Sequence, residues 1–164
     1  MIKLEIKKTY NKVSTSIIDV ANYIVKTYGA TSLIRLQKLC YICQGIYLAA
    51  YNEPMFDEDF KVWVNGVSCE ELVHMLQPNI GIITTEDIEC SSDCFGKEYA
   101  VKEDIDDKRK HVVDDVVNVF YDNSSEELSF FTSTQLPFLI TPKKQIIEKT
   151  NIAKYYKKLL TSSE

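Results

Sequence analysis

Glycine, proline, histidine and tryptophan are all scarce: the 164 residues include five Gly, four Pro, two His and one Trp. So little glycine and proline excludes a collagen-like, low-complexity or linker-rich protein. Two histidines leave little material for zinc sites or imidazole acid–base chemistry. The sequence also lacks a phosphate-binding loop, a zinc-protease motif, a nucleophile elbow and a glycine-rich dinucleotide turn. These absences favour a protein without catalytic activity.

Long apolar runs and a dense cysteine pattern are missing too. The most apolar stretch, residues 41–51, is about half the length of a membrane span and includes Gln44. The first eight residues mix Lys and Glu with apolar residues, which is unlike a signal peptide. The five cysteines are an odd number without the close spacing of a secreted disulfide scaffold. We therefore expect a cytoplasmic protein that makes no membrane contact.

The cysteines carry little metal or redox signal. Cys40 and Cys43 have the C-x-x-C spacing but fall inside a predicted buried helix, where core packing is the favoured interpretation. No second cysteine or histidine pair follows at a zinc-finger distance. A metal site in the weaker alternative would use four residues whose spacing specifies nothing: Cys69, His74, Cys90 and Cys94. We expect no metal and no cofactor.

Negative charge is concentrated in the body of this acidic protein. The chain has 19 basic and 24 acidic residues, for a net charge of −5. Residues 1–12 contribute +3 and residues 141–164 contribute +4, so residues 13–140 carry −12. Residues 86–107 alone carry −7, either as a contact patch for a basic partner or as a charged hairpin. The C-terminal lysines are more typical of a solvated amphipathic helix than of nucleic-acid binding, which we do not favour.

Apolar residues at helical spacing predict a mainly α fold of the α+β class. Ser16 is the predicted N-cap of the first helix, and Gly29 is its stop. A helix at about residues 32–50 is apolar around most of its circumference, so we expect it to be the buried centre of a compact bundle. Strand-like runs on both sides of a turn predict a small β-hairpin insertion at about residues 80–102. The length favours a single domain over residues 1–164.

Weaker signals place three other elements. A short strand that ends at Gly66 is predicted by alternating apolar residues: Phe60, Val62 and Val64. Ser124 and Glu127 have the spacing of a capping box at the start of a short helix. The pair Thr141 and Pro142 predicts the start of the last helix, with a restart at Thr150 or Asn151 as the alternative.

Clustered aromatic and acidic residues are candidates for a contact surface. Tyrosine and tryptophan often anchor protein interfaces, although core packing explains most aromatic residues. Carboxylates at helix starts are more often solvated than catalytic, so an enzyme that uses Asp57, Asp59 and His74 is the weakest hypothesis. The predicted partner-binding residues are Tyr47, Phe56, Asp57, Asp59, Trp63, Glu86, Asp87 and Glu89.

The central helix resembles the signature helix of the Panacea domain, the SocA-like antitoxin family that includes GepA-like phage-associated proteins. The resemblance rests on the sequence LQKL at residues 36–39 and continues with Tyr41, Gln44, Gly45 and the sequence YLA at residues 47–49. Further matches are Trp63-x-x-Gly66, the sequence SEELS at residues 125–129 with Thr132, Pro137-Phe138, and the closing residues 152–156. Val67 and Glu70 replace two prolines of the family's turn, and Ser133 replaces a histidine.

Three residue types in the motif make physical predictions of their own. Gln37 and Gln44 lie on one face of the helix, where internal backbone groups are favoured over a bound ligand as their partners. Gly45 in the middle of a helix predicts a close crossing by another element. The complete set of motif residues is Gln37, Lys38, Tyr41, Gln44, Gly45 and Gly66.

The resemblance implies a non-catalytic protein-binding module that neutralises a cognate toxin by direct stoichiometric contact. The alternative is a phage or mobile-element inhibitor that binds a host enzyme or nucleoprotein through its acidic surface. A third hypothesis is an adaptor that delivers a toxin to a protease. The sequence names neither the toxin nor the oligomeric state.

Overall fold

The computed structural model describes residues 9–76, 82–84, 87–88 and 104–162. Seven helices are described: α1 (Ile17–Tyr28), α2 (Leu33–Tyr51), α3 (Glu70–Leu76), α4 (Asp107–Phe120), α5 (Ser125–Ser133), α6 (Leu136–Leu139) and α7 (Lys149–Thr161). The strands in these ranges are β1 (Thr31–Ser32), β2 (Lys61–Trp63), β3 (Gly66–Ser68) and β4 (Ile82–Ile83). Among these helices, none has the length and apolarity to cross a bilayer. The predicted mainly α class is confirmed.

Helix α2 is the centre of the molecule, as its apolar circumference predicted. An unbroken run of ten residues, 36–45, is buried along its length. Helices α7, α5, α4 and α1 all pack against it, with α7 making the most extensive contact. Ser32 caps its N-terminus by accepting the backbone N–H of Arg35, and Asn52 ends it in the left-handed conformation at φ 57°. A helix buried on every side in this way is held by tertiary packing rather than by amphipathicity.

The crossing of α2 and α7 occurs at Gly45. A Cβ atom built on Gly45 would lie 2.4 Å from two ring carbons of Tyr156, so the aromatic ring occupies the space that a side chain would need. Tyr156 is itself fully buried, so the atoms around its ring prevent the ring from moving aside. The prediction that another element approaches Gly45 closely is therefore confirmed, and the element is α7.

Two small antiparallel sheets contain the strands. In one, β2 pairs with β3 as a hairpin whose register joins Trp63 to Gly66. The strand therefore ends earlier than the alternation predicted: Val64 lies in the turn and is fully exposed. In the other sheet, β1 pairs with β4, with Thr31 opposite Ile83. Of the expected insertion at residues 80–102, only 82–84, 87 and 88 are among the described residues, and the rest of that prediction lies outside them.

Helix starts follow their capping signals in two cases and depart in one. Ser16 caps α1 as predicted, within a capping box that it forms with Asp19, and the predicted capping box at Ser124 is present. The last helix does not begin at Thr141 and Pro142; it begins at Lys149, next to the alternative start at Thr150. The segment before it runs beside β2 instead, where the Ile147 N–H donates to the carbonyl of Phe60 at 2.8 Å. Backbone pairing with the hairpin has replaced the helical turn that the Thr-Pro pair indicated.

Candidate partner-binding surface

Two glutamines of α2 hold the segments that follow it. The side chain of Gln44 accepts the Met55 N–H at 2.7 Å and donates to the Phe56 carbonyl at 2.8 Å. Gln37 accepts the Cys69 N–H at 2.7 Å and the Ser68 hydroxyl at 3.1 Å. Both amides thus satisfy buried polar groups. The prediction of internal partners is confirmed for this pair.

Lys38 is a buried charge beneath the hairpin. Its side chain is 1% exposed, and its ammonium donates to the Val67 carbonyl at 2.8 Å. Burial lowers the pKa of Lys38 to about 8, because desolvation disfavours the charged form. Within the described ranges, no carboxylate lies within salt-bridge distance of this ammonium. The charge therefore lacks the partner that buried ions usually have.

Gly66 lies directly over that ammonium. Its φ of +104° is in the region that favours glycine, and a Cβ there would lie 3.5 Å from Lys38 Cε and 3.6 Å from Lys38 Nζ. The absence of a side chain therefore leaves Lys38 covered by backbone alone on this side. Tyr41, the remaining motif residue, is fully buried and packs edge-on against Phe60 with ring centroids 5.2 Å apart.

The turn between β2 and β3 separates two open grooves. The first groove, of about 530 Å³, lies between α2, the hairpin and α3, and Lys38 and Trp63 are among its lining residues. The second groove, of about 520 Å³, lies between the hairpin and α5, and its lining includes Phe130 and Phe138. Ile34 and residues 64–66 line both grooves.

Several apolar side chains are exposed to solvent around this turn. Val64 is 100% exposed, Phe130 is 71% exposed and Ile34 is 39% exposed. Five of the apolar residues that line the two grooves are called the turn surface here: Ile34, Trp63, Val64, Phe130 and Phe138. Contiguous apolar exposure rimmed by polar residues is typical of sites that bind another protein.

The predicted aromatic anchors divide between surface and core. Trp63 is partly exposed and belongs to the turn surface. Tyr47 and Phe56 are fully buried and line neither groove, and their contact with a partner stays a prediction. The phenol of Tyr47 donates to Glu53 at 3.1 Å, and the guanidinium of Arg109 lies 4.8 Å from its ring centroid. Both aromatic side chains are part of the hydrophobic core.

Asp57, Asp59 and Asp87 are not among the residues that line the two grooves at the turn. Both carboxylate oxygens of Asp57 accept the Val13 N–H at 3.1 Å, and Asp59 pairs with Lys149 at 2.5 Å. The backbone N–H of Thr84 donates to Asp87 at 2.8 Å. Glu86 and Glu89 lie outside the described residues. In the described part of the chain, these carboxylates are thus engaged in internal contacts.

The weak enzyme hypothesis gains no support from this arrangement. Asp57 and Asp59 line a third groove of about 370 Å³, whereas His74 lines the first groove beside the hairpin. The three side chains that the hypothesis combined are therefore on different grooves. Acid–base catalysis needs its groups within hydrogen-bond reach of one substrate.

The described cysteines are packed as free thiols. Cys40, Cys43 and Cys69 are buried, and desolvation raises the pKa of each thiol. No group of three or more His, Cys, Asp or Glu residues is placed to hold a metal ion within the ranges that the structure describes. Cys90 and Cys94 of the alternative metal set lie outside those ranges.

Sequence reasoning missed Ile34 and Phe130 as surface residues. A signal for Phe130 was present: Leu128 and Thr132 of α5 are buried, and Phe130 lies between them on the opposite face of the helix. Ile34 lies in the first turn of a helix that is otherwise buried, and no periodicity separates it from its apolar neighbours.

The buried charge makes stability depend on pH. Lys38 has a lower pKa in the folded protein than in the unfolded chain, so the unfolded chain binds more protons between about pH 8 and 10.5 and stability rises with pH there. A charged Lys38 costs the fold about 3 kcal/mol at pH 7. We expect the free energy of unfolding of the native chain to rise by that order, relative to Lys38→Met, between pH 7 and pH 10.5.

Chemical denaturation of both proteins across this range measures the difference. Titration of other groups cancels because the two chains share them, including Glu70, which is paired with Lys61, and His74 in the same groove. A difference that stays constant with pH would show that Lys38 has an ordinary pKa in the fold.

Comparison with known proteins gives one match. The family model described as "Antitoxin SocA-like, Panacea domain" matches residues 36–136, a range that includes α2, the hairpin and α5. No curated protein and no solved structure shows a significant match. The matched range begins at the first residue of the LQKL sequence in α2 and contains the motif set from Gln37 to Gly66, whereas Pro137-Phe138 and residues 152–156 lie beyond its end.

Proposed function

This chain belongs to the SocA-like antitoxin family with a Panacea domain, and from that premise we propose that it is a cytoplasmic antitoxin-like module that neutralises a cognate toxin by direct stoichiometric binding. The role requires a surface for a protein partner and no chemistry of its own. A protein partner in general is what the family implies. The toxin itself and the blocking mechanism are the parts that we propose.

The turn surface is the observation that carries the proposal. Val64 projects fully exposed from the hairpin, with Phe130 exposed across the second groove. Trp63 contributes to the first groove, and tryptophan is among the residues that most often dominate binding energy. An apolar centre beside polar groove residues is the arrangement that protein interfaces share.

The hairpin that presents this surface is anchored rather than loose. Gln37 and Lys38 of the central helix hold the residues of β3 and the residue after it by buried hydrogen bonds. On the other strand, the Val62 N–H donates to the Gln145 carbonyl at 3.2 Å. Binding therefore costs little ordering of the backbone, which favours affinity.

Inhibition of a host enzyme through acidic mimicry is less well supported. Asp57 and Asp59 serve internal contacts, and the Asp114 carboxylate accepts the hydroxyl groups of Tyr23 and Tyr28. The most acidic stretch, residues 86–107, lies largely outside the described residues. No specific observation favours that function over toxin binding.

Co-expression with the product of the neighbouring gene tests the proposal. If the neighbour is the toxin, its expression arrests growth, co-expression of this chain restores growth, and the two proteins purify as a complex of fixed stoichiometry. The half-life of the toxin separates blocking from delivery: blocking leaves it unchanged or longer, whereas delivery to a protease shortens it. Arrest without rescue or complex formation would contradict the proposal.

A further inference from the structure

The first groove contains a positive charge that the described part of the chain leaves without a counterion. Lys38 lines this groove although its side chain is 1% exposed. A lysine ammonium has three donors, and one of them goes to the Val67 carbonyl. The other two have no hydrogen-bond acceptor among the described residues.

The acidic residue among those that line this groove is already paired with another lysine. Glu70 lines the same groove, but its carboxylate pairs with Lys61 at 2.8 Å. The other polar side chains of the lining are those of Gln37, Asn65, Ser68 and His74. None of these side chains carries a negative charge, so the described lining of the groove supplies no anion to pair with Lys38.

Lys38 borders the groove next to Gly66. Gly66 covers Lys38 without a side chain, at the point where a Cβ would lie 3.6 Å from Nζ. Beyond Gly66 the groove continues past the turn into the second groove, since Ile34 and residues 64–66 line both. A segment of the partner that crosses the turn can therefore contact both grooves. We accordingly expect the carboxylate near Lys38 to belong to a side chain of that segment rather than to a chain terminus.

We propose that the first groove receives an acidic side chain of the protein partner, whose carboxylate pairs with Lys38 while its apolar flanks pack on the turn surface. The inference rests on the proposed function, because the partner is the toxin. It adds the chemistry of recognition: an Asp or Glu within an apolar segment. Such a pair is shielded from water and is therefore specific for charge as well as shape.

Lys38→Met tests the proposal because it removes the charge while filling the same volume. The substitution relieves the desolvation cost of the charge but also removes its hydrogen bond to the Val67 carbonyl, so the melting temperature of Lys38→Met is measured alongside its affinity. We expect toxin affinity to fall roughly 30-fold or more, the range measured when one partner of a buried pair is lost. Lys26→Met, which replaces an exposed lysine at the end of α1, is the matched control and should bind as the native chain does.

The decisive measurement is a double-mutant cycle with the toxin. Each Asp and Glu of the toxin is changed to Asn or Gln, and binding to the native chain and to Lys38→Met is measured. One acidic substitution should reproduce the loss caused by Lys38→Met and add little to it. Carbon-13 labelling of lysine supplies a second signal, since the pKa of Lys38 should rise when the toxin binds.

The outcomes separate this inference from the proposed function. If the native chain binds no toxin, the proposed function fails. If it binds and Lys38→Met binds equally well, the function stands and the inference is wrong. Coupling of Lys38 to the toxin's terminal carboxylate, detected by amidation of that terminus, would overturn the side-chain assignment.

Discussion

Val64→Asp is expected to weaken toxin binding roughly 100-fold while leaving the fold intact, because a buried unpaired carboxylate is costly only in the complex. Val64 is fully exposed in the turn, so the substitution removes no packing from the free protein. In the complex, the new carboxylate would be desolvated and would repel an acidic side chain at Lys38. Isothermal titration of purified toxin measures the loss.

Val119→Asp is the matched control for that prediction. Val119 is 72% exposed on α4 and lines none of the three grooves. The same chemical change therefore occurs on an exposed valine away from the turn surface. Equal losses for the two variants, or no loss for Val64→Asp, would show that the partner binds elsewhere.

Gly45→Ala is expected to lower the melting temperature by roughly 4–8 °C. An alanine Cβ would lie 2.4 Å from the ring of Tyr156, which is fully buried. Overpacking of this kind costs about 3 kcal/mol, against a gain of about 1 kcal/mol from the better helix propensity of alanine. Thermal unfolding followed by circular dichroism measures the net effect.

A double variant distinguishes the clash from other causes. Tyr156→Leu removes the ring that Gly45→Ala would meet, so the two substitutions together should cost less than the sum of their separate effects. A rise in melting temperature for Gly45→Ala alone would mean that α7 does not cross α2 at this position.

Local signals predicted much of the helical framework. The N-cap at Ser16 and the apolar circumference of α2 depend on neighbouring residues in the chain, and both were confirmed. The close crossing at Gly45 followed from the cost of glycine within a helix. The sequence could not show which element makes that crossing, because Tyr156 lies far along the chain.

The places where the structure departs from the local sequence patterns share a physical cause. Val64 continues an apolar alternation, but the hairpin turns there and exposes it. Tyr47 and Phe56 have the chemistry of interface anchors, yet tertiary packing buries them. At Thr141, a valid helix-start signal yields to backbone pairing with β2. In each case, the local sequence pattern is compatible with more than one structure, and contacts between segments distant in the chain determine which one forms.

The candidate site was only partly predictable for the same reason. The motif residues Gln37 and Lys38 were identified, but their roles depend on the hairpin that folds over them. The charge of Lys38 becomes informative only when its burial and the pairing of Glu70 with Lys61 are known. The single-domain assignment and the contribution of the acidic stretch at residues 86–107 stay predictions.

Hydrogen–deuterium exchange tests the central claim, that the turn surface is where the toxin binds, most directly. The chain alone and in its complex with the toxin are compared by mass spectrometry of their peptides. We expect slower exchange at residues 63–66 and 125–133, which carry the turn and α5. Slowing confined to α1, to α7 or to the groove beside Asp57 and Asp59, with the turn unchanged, would contradict the claim.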